Sequence, residues 1–217
     1  MKTLLLASVA LIAATTSSLG ANLITFSQTA ATNEVTATTN LANTQTTLTA
    51  NDAAVSIGQL ISGAPPATAF FDLNATSVDP ATTVLSAVIQ HYAGSFCIST
   101  AAGCTGTDVL SGTFSDAAFG GLGGPGLVVN VNSPPDTLAL SSALIPANDL
   151  TSPSAFGLTF TNLTPALAIA GSTLADFTAS FAGDASSSAV AAPEPMPLAL
   201  LGTGLLGLVL VRRRGTR

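Results

Sequence analysis

Few residues of this chain carry reactive chemistry, and three of them lie close together in sequence. Cys97 and Cys104 are the only two cysteines, and His91 is the only histidine. Cys97 could act as a nucleophile activated by His91, or the two cysteines could form a disulfide. We predict the disulfide, because the ends of the chain indicate export and free thiols oxidise outside the cell. Closing so short a loop should stabilise the fold by about 2–3 kcal/mol.

The carboxylates offer a second kind of chemistry. Asp72, Asp79, Asp108 and Asp116 are candidates for paired acid and base catalysis, but no two of them have a diagnostic spacing, so solvated turn aspartates are the favoured interpretation. One histidine cannot supply a multi-histidine metal site, and the EF-hand spacing is absent. We therefore predict no catalytic residue, no metal site and no cofactor, with weak calcium association as the open alternative.

A glycine-rich stretch formally matches a nucleotide-binding motif. Gly121, Gly123 and Gly126 fit the pattern G-x-G-x-x-G. A dinucleotide fingerprint must open a helix, whereas Pro125 and the apolar residues 127–131 predict a turn leading into a strand. We interpret the stretch as a loop between strands.

Charge is distributed unevenly along the chain. All five basic residues lie near its two ends, at Lys2, Arg212, Arg213, Arg214 and Arg217. Ten of the eleven acidic residues lie within residues 21–192, and the other is Glu194. A body without Lys or Arg repels phosphate backbones, which excludes nucleic acid as a partner, and it is also repelled by anionic lipid surfaces.

Both ends have the pattern of targeting segments. Residues 1–20 contain Lys2, a short apolar run and a polar stretch of small residues, which predicts a secretory signal peptide cut before Ala21. At the other end Pro193, Glu194 and Pro195 precede 16 uncharged residues, 196–211, and then Arg212, Arg213 and Arg214. As a helix this run is about 24 Å long, enough to span a membrane with the arginines reaching the cytoplasmic interface.

The order of these C-terminal features resembles the PEP-CTERM sorting signal of exported bacterial proteins. The resemblance covers residues 193–217 and carries no information on the rest of the chain. It implies that an exosortase, a membrane processing enzyme, recognises Pro193-Glu194-Pro195 and removes the span after export. The body would then pass to the cell surface or extracellular matrix. The alternative is a permanent C-terminal tail anchor.

Residues 21–183 are predicted to form one all-β body. Short strands alternate with Gly, Pro, Asn and Asp turns about every ten residues, which favours an antiparallel β-sandwich. A β-solenoid is the alternative, although no repeat of fixed period is present. Residues 82–92 are predicted as one central strand, and residues 156–162 show the clearest alternation. Residues 184–192, which are small and serine-rich, are predicted to be a flexible linker.

Three classes of function follow from this inventory. An enzyme is the least favoured. A carbohydrate-binding or adhesion module would usually present aromatic platforms, but the chain has no Trp and one Tyr, and we expect the ten Phe residues to lie in the core. The favoured class is a non-catalytic protein of the extracellular polysaccharide matrix or cell envelope. Association with polysaccharide would use neutral contacts or divalent cations that bridge its aspartates to anionic sugars.

Overall fold

A computed structural model describes residues 21–84, 87–122, 127–130, 136–151 and 154–187. These residues form thirteen strands and one short 3-10 turn, with no α-helix among them, so the predicted all-β class is confirmed. The predicted signal peptide at residues 1–20 and sorting signal at residues 193–217 lie outside the described residues. Within the described part of the chain, no helix has the length and apolarity needed to cross a membrane.

The strands follow one another with short connections. Their bounds are β1 Ala21–Gln28, β2 Val35–Thr39, β3 Thr46–Leu60, β4 Ala69–Ser77, β5 Thr82–Val84, β6 Ala87–Ala101, β7 Thr105–Leu122, β8 Leu127–Asn130, β9 Thr137–Ser141, β10 Ser154–Thr164, β11 Ile169–Ala170, β12 Thr173–Leu174 and β13 Phe177–Ser187. The 3-10 turn spans Ala147–Asp149. Eleven strands join one sheet, and β11 and β12 form a separate pair.

The pairing within the large sheet closes on itself, where two facing sheets were expected. Strand β6 pairs with both β4 and β7, so the path β6-β4-β3-β1-β13-β10-β8-β7 returns to β6. Strands β3, β6 and β7 are 15, 15 and 18 residues long, and each changes partners along its length. Several of these changes coincide with register shifts, because a bulge bends a strand and increases its twist.

Alternation along the strands places one set of side chains inside this closed path. On β4, Phe71, Leu73 and Ala75 are buried, while Asp72 and Asn74 point to the other face. Nine of the ten Phe side chains are buried, which confirms that the Phe residues form the core. None of these nine is left to serve as an exposed aromatic platform.

One buried glutamine side chain, that of Gln90, forms hydrogen bonds with several polar groups inside the fold. The Gln90 side chain is fully buried and donates from Nε2 to the carbonyl of Asp79 and to Thr173 Oγ1, both at 2.9 Å. Its Oε1 accepts from the backbone N–H of Leu174 and from the Tyr92 hydroxyl, both at 3.1 Å. Burial also raises the pKa of the Tyr92 phenol, which therefore stays neutral. Gln90 thus joins β6 to the β12 segment.

Two predicted boundaries are wrong. Residues 82–92 are not one strand, because β5 ends at Val84 and pairs back against the start of β6 through Val84 and Ala87. The predicted linker at residues 184–192 begins too early, because β13 continues to Ser187 and pairs with both β1 and β10. Small residues in β13 fit between its two neighbouring strands. At Gly183, for example, an added Cβ would lie 2.5 Å from Phe26 Cζ.

Candidate functional site

Small polar side chains form two rows across the outer face of β4, β6, β7 and β9. Strand register gives one row as Asn74, Ser95, Thr113 and Ala139, and the adjacent row as Asp72, Cys97, Ser111 and Ser141. At roughly 4.8 Å per strand, each row is about 14 Å long. The sequence analysis singled out only Asp72 and Cys97 among these eight residues and did not predict the surface, because its side chains come from four separate segments.

These rows line two adjoining depressions, of about 230 and about 340 Å³, which share Ser95 and Phe96. Ser95 and Thr113 are exposed, and their small size leaves the sheet face uncovered between longer neighbours. Asp72 is the only charged side chain that lines either depression among the described residues. We call this surface the hydroxyl groove. Its Ser, Thr and Asn groups both donate and accept hydrogen bonds, so it suits a neutral hydroxylated ligand.

The disulfide hairpin forms one wall of the hydroxyl groove. Cys97 and Cys104 lie at disulfide distance, with Cα atoms 6.0 Å apart, as predicted. Cys97 is held in β6 opposite Asp72. Asp52, in a bulge of β3, donates its backbone N–H to Asp72 Oδ1 at 3.0 Å. The Oδ1 atom of Asp52 itself accepts a hydrogen bond from the backbone N–H of Gly103 at the hairpin tip. Asp52 therefore ties the hairpin to β4 independently of the disulfide.

Two carboxylate oxygens on this face lack a partner. Asp72 Oδ2 and Asp108 Oδ1 are shielded from solvent and accept no hydrogen bond from any described residue. An unpartnered buried acceptor costs about 1–3 kcal/mol. The other oxygen of each carboxylate is paired: Asp72 Oδ1 accepts from the Asp52 N–H, and Asp108 Oδ2 accepts from the Ser111 hydroxyl at 2.8 Å.

His91 pairs with a carboxylate rather than with a cysteine. Its Nδ1 lies 2.5 Å from Asp79 Oδ2, and its backbone N–H donates to Asp79 Oδ1 at 2.8 Å. His91 and Cys97 are six residues apart on one strand, or about 20 Å. The Cys97–His91 nucleophile considered above is therefore not assembled.

The Asp79–His91 pair predicts a pH dependence of stability. The hydrogen bond to Asp79 raises the pKa of His91 above 6.5, while partial burial opposes it and Asp116 and Asp136 add weaker attraction. The contribution is complete below pH 6.5 and is lost as the pH rises through the raised pKa. We expect the free energy of unfolding to fall between pH 6 and pH 9 in denaturant titrations. The fall should be small, since the His91 side chain is 34% exposed.

Asp79→Asn provides the control for this pH dependence. It keeps a hydrogen-bond acceptor beside His91 but removes the charge that holds its proton. The fall above pH 6 should then be smaller than in the unsubstituted protein. Equal slopes in the two proteins would show that the pair does not set the pH dependence. Burial raises the pKa of Asp184 above its ordinary value of 3.8, so the titration of this carboxyl affects the free energy of unfolding in the acid range.

The other predicted site residues are placed as follows. Asp79 lies in the turn after β4, but Asp72 lies within β4, and Asp108 and Asp116 lie within β7. Gly121 is in β7 and Leu127 begins β8, so the G-x-G-x-x-G stretch leads into a strand, as predicted. The sorting residues Pro193, Glu194, Pro195, Arg212, Arg213 and Arg214 lie outside the described residues.

Comparison of the chain with known proteins found no match. No family model matches the chain. No curated protein matches it, and no solved structure does. The class that the fold itself defines is an antiparallel all-β protein with a disulfide-stapled hairpin beside a polar groove.

Proposed function

We propose that the protein is an exported, non-catalytic component of the extracellular polysaccharide matrix or cell envelope. An exosortase-type enzyme processes it at Pro193-Glu194-Pro195, with Arg212, Arg213 and Arg214 on the cytoplasmic side. The support is the order of the two end segments and the confinement of all five basic residues to them.

The observation that carries the polysaccharide part of the proposal is the hydroxyl groove. Its lining is neutral except for Asp72, and its length of about 14 Å suits an extended chain of hydroxylated units. Strands β4, β6 and β7, which form most of its floor, are paired on both sides and offer no free edge to a peptide strand, whereas β9 pairs only with β7 among the described strands. Sugar hydroxyls match groups that donate and accept.

A direct test is co-sedimentation of the exported protein with the host's own polysaccharide, in calcium and then in chelator. We expect retention that survives chelation, because neutral contacts at the hydroxyl groove need no cation. Ser95→Ile fills the point where the two depressions meet and should lower retention at least about tenfold, or about 1.4 kcal/mol.

Thr159→Ile is the matched control, since Thr159 is also exposed on a strand but lies on β10, away from the hydroxyl groove. It should sediment like the unsubstituted protein. Retention lost in chelator would favour cations that bridge aspartates to anionic sugars. The carbohydrate-binding or adhesion alternative would require competition by one simple sugar. A protein that stays in the supernatant under both conditions would refute the polysaccharide association.

A further inference from the structure

Three potential metal ligands meet at the disulfide wall of the hydroxyl groove. A carboxylate oxygen of Asp72 and the sulfurs of Cys97 and Cys104 all lie within 4.8 Å of one another. Asp72 is half-buried, Cys97 is buried and Cys104 is exposed. Tetrahedral zinc sites place their ligand atoms about 3.5–4 Å apart, given metal–sulfur bonds near 2.3 Å. The two sulfurs are bonded to each other in this structure, so the distances that bear on a metal site are those from the Asp72 oxygen to the sulfurs, which are at most 4.8 Å.

A second observation points to a ligand at the same place. Asp72 Oδ2 is shielded and accepts no hydrogen bond from the described residues, and it belongs to the carboxylate that has an oxygen within 4.8 Å of the two sulfurs. A depression of about 230 Å³ is lined by Asp72, Cys97 and Cys104 together. That space is large enough for several waters, one of which could complete a four-coordinate site.

The ligand arrangement does not depend on the disulfide alone. Asp52 binds Asp72 through its N–H and the hairpin tip at Gly103 through its carboxylate. Within the hairpin, the backbone N–H of Thr107 donates to Thr100 Oγ1 at 2.9 Å. None of these contacts involves a sulfur atom, so we expect the reduced hairpin to keep both sulfurs near Asp72.

We propose that reduction converts this disulfide into a binding site for a zinc-class divalent cation, held by Cys97, Cys104 and Asp72 with a water from the depression. A dithiol transfers two electrons and two protons to the disulfide, becomes a cyclic disulfide itself and leaves two cysteine thiols. Zinc then binds both sulfurs and displaces their two protons. In the oxidised protein the sulfurs are bonded to each other, and no site exists.

The test is metal content of the full-length protein in detergent, oxidised or reduced with a phosphine, after zinc loading and anaerobic gel filtration. We expect about one zinc per reduced chain and none per oxidised chain. Cobalt loading of the reduced protein should add thiolate-to-metal absorption. Asp72→Asn keeps an acceptor for the Asp52 N–H and should weaken zinc binding at least about tenfold, as loss of a ligand requires.

Asp108→Asn is the matched control, because Asp108 carries the other unpartnered oxygen of this face but does not belong to the three-ligand group. It should bind zinc like the unsubstituted protein, and circular dichroism should show that both variants are folded. Reduced protein that emerges without zinc would overturn the proposal. Equal zinc affinity in the Asp72 and Asp108 variants would also overturn it, because Asp72 would then not be a ligand.

Discussion

Gly94→Ala should destabilise the protein by at least about 3 kcal/mol, because there is no space for one methyl group at this position. A Cβ on Gly94 would lie 2.2 Å from the carbonyl oxygen of Asn74 and 2.6 Å from Ala75 Cα. Both are backbone atoms of β4, so the strands themselves must separate. Ala75 and Gly94 are opposite each other inside an eight-pair ladder, and separation would weaken several of its hydrogen bonds, each worth about 1 kcal/mol.

The measurement is the denaturant midpoint of unfolding, with Gly120→Ala as the matched control. Gly120 lies on β7 opposite Ile89, and the nearest atom to an added Cβ there is 3.7 Å away. That variant should be neutral or slightly stabilising, since alanine loses less backbone entropy than glycine on folding. Similar midpoints for the two variants would contradict the close approach of β4 and β6. A Gly94→Ala protein that unfolds at the same denaturant midpoint as the unsubstituted protein would also contradict this close approach.

Replacing Pro193, Glu194 and Pro195 together by alanine should abolish release of the protein in its own host. Under the proposed function, the processing enzyme reads these three residues, and without them the apolar span at 196–211 stays in the membrane. Immunoblotting of membrane and matrix fractions, with mass spectrometry of the released form, measures the change. We expect the unsubstituted protein in the matrix without its C-terminal residues, and the variant almost entirely in the membrane.

Substitution of Arg212, Arg213 and Arg214 by lysine is the control for this localisation experiment. Three lysines preserve the positive charge that keeps the C-terminus in the cytoplasm, so release should continue. Unsubstituted protein that remains in the membrane and still ends at Arg217 would support the permanent tail anchor instead. The same conclusion would follow if the alanine variant were distributed like the unsubstituted protein.

Local pattern predicted much of the strand content. The alternation of Phe156, Leu158 and Phe160 indicated β10, and these side chains are buried. The cysteine count in a chain with export signals predicted the pairing of Cys97 with Cys104. The prediction of one strand over residues 82–92 failed, because β-branched residues favour extended backbone and do not reveal where the chain reverses.

The candidate site could not be predicted in the same way. Asp52 lies 20 residues from Asp72 and 51 from Gly103, and it meets both only because a bulge in β3 turns it towards the hairpin. Nothing in its own segment distinguishes it from a solvated turn aspartate. The hydroxyl groove likewise requires the registers of β4, β6, β7 and β9, which are set by pairing between strands.

The sequence by itself determined the all-β class, the disulfide partners and the absence of basic residues between positions 21 and 192. These properties depend on composition and on alternation within single segments, which are readable residue by residue. Only the tertiary structure decided that the sheet closes through β6 and that Asp72 stands beside both sulfurs. The physical reason is that register is a relation between segments, since a shift of one residue turns every side chain to the other face.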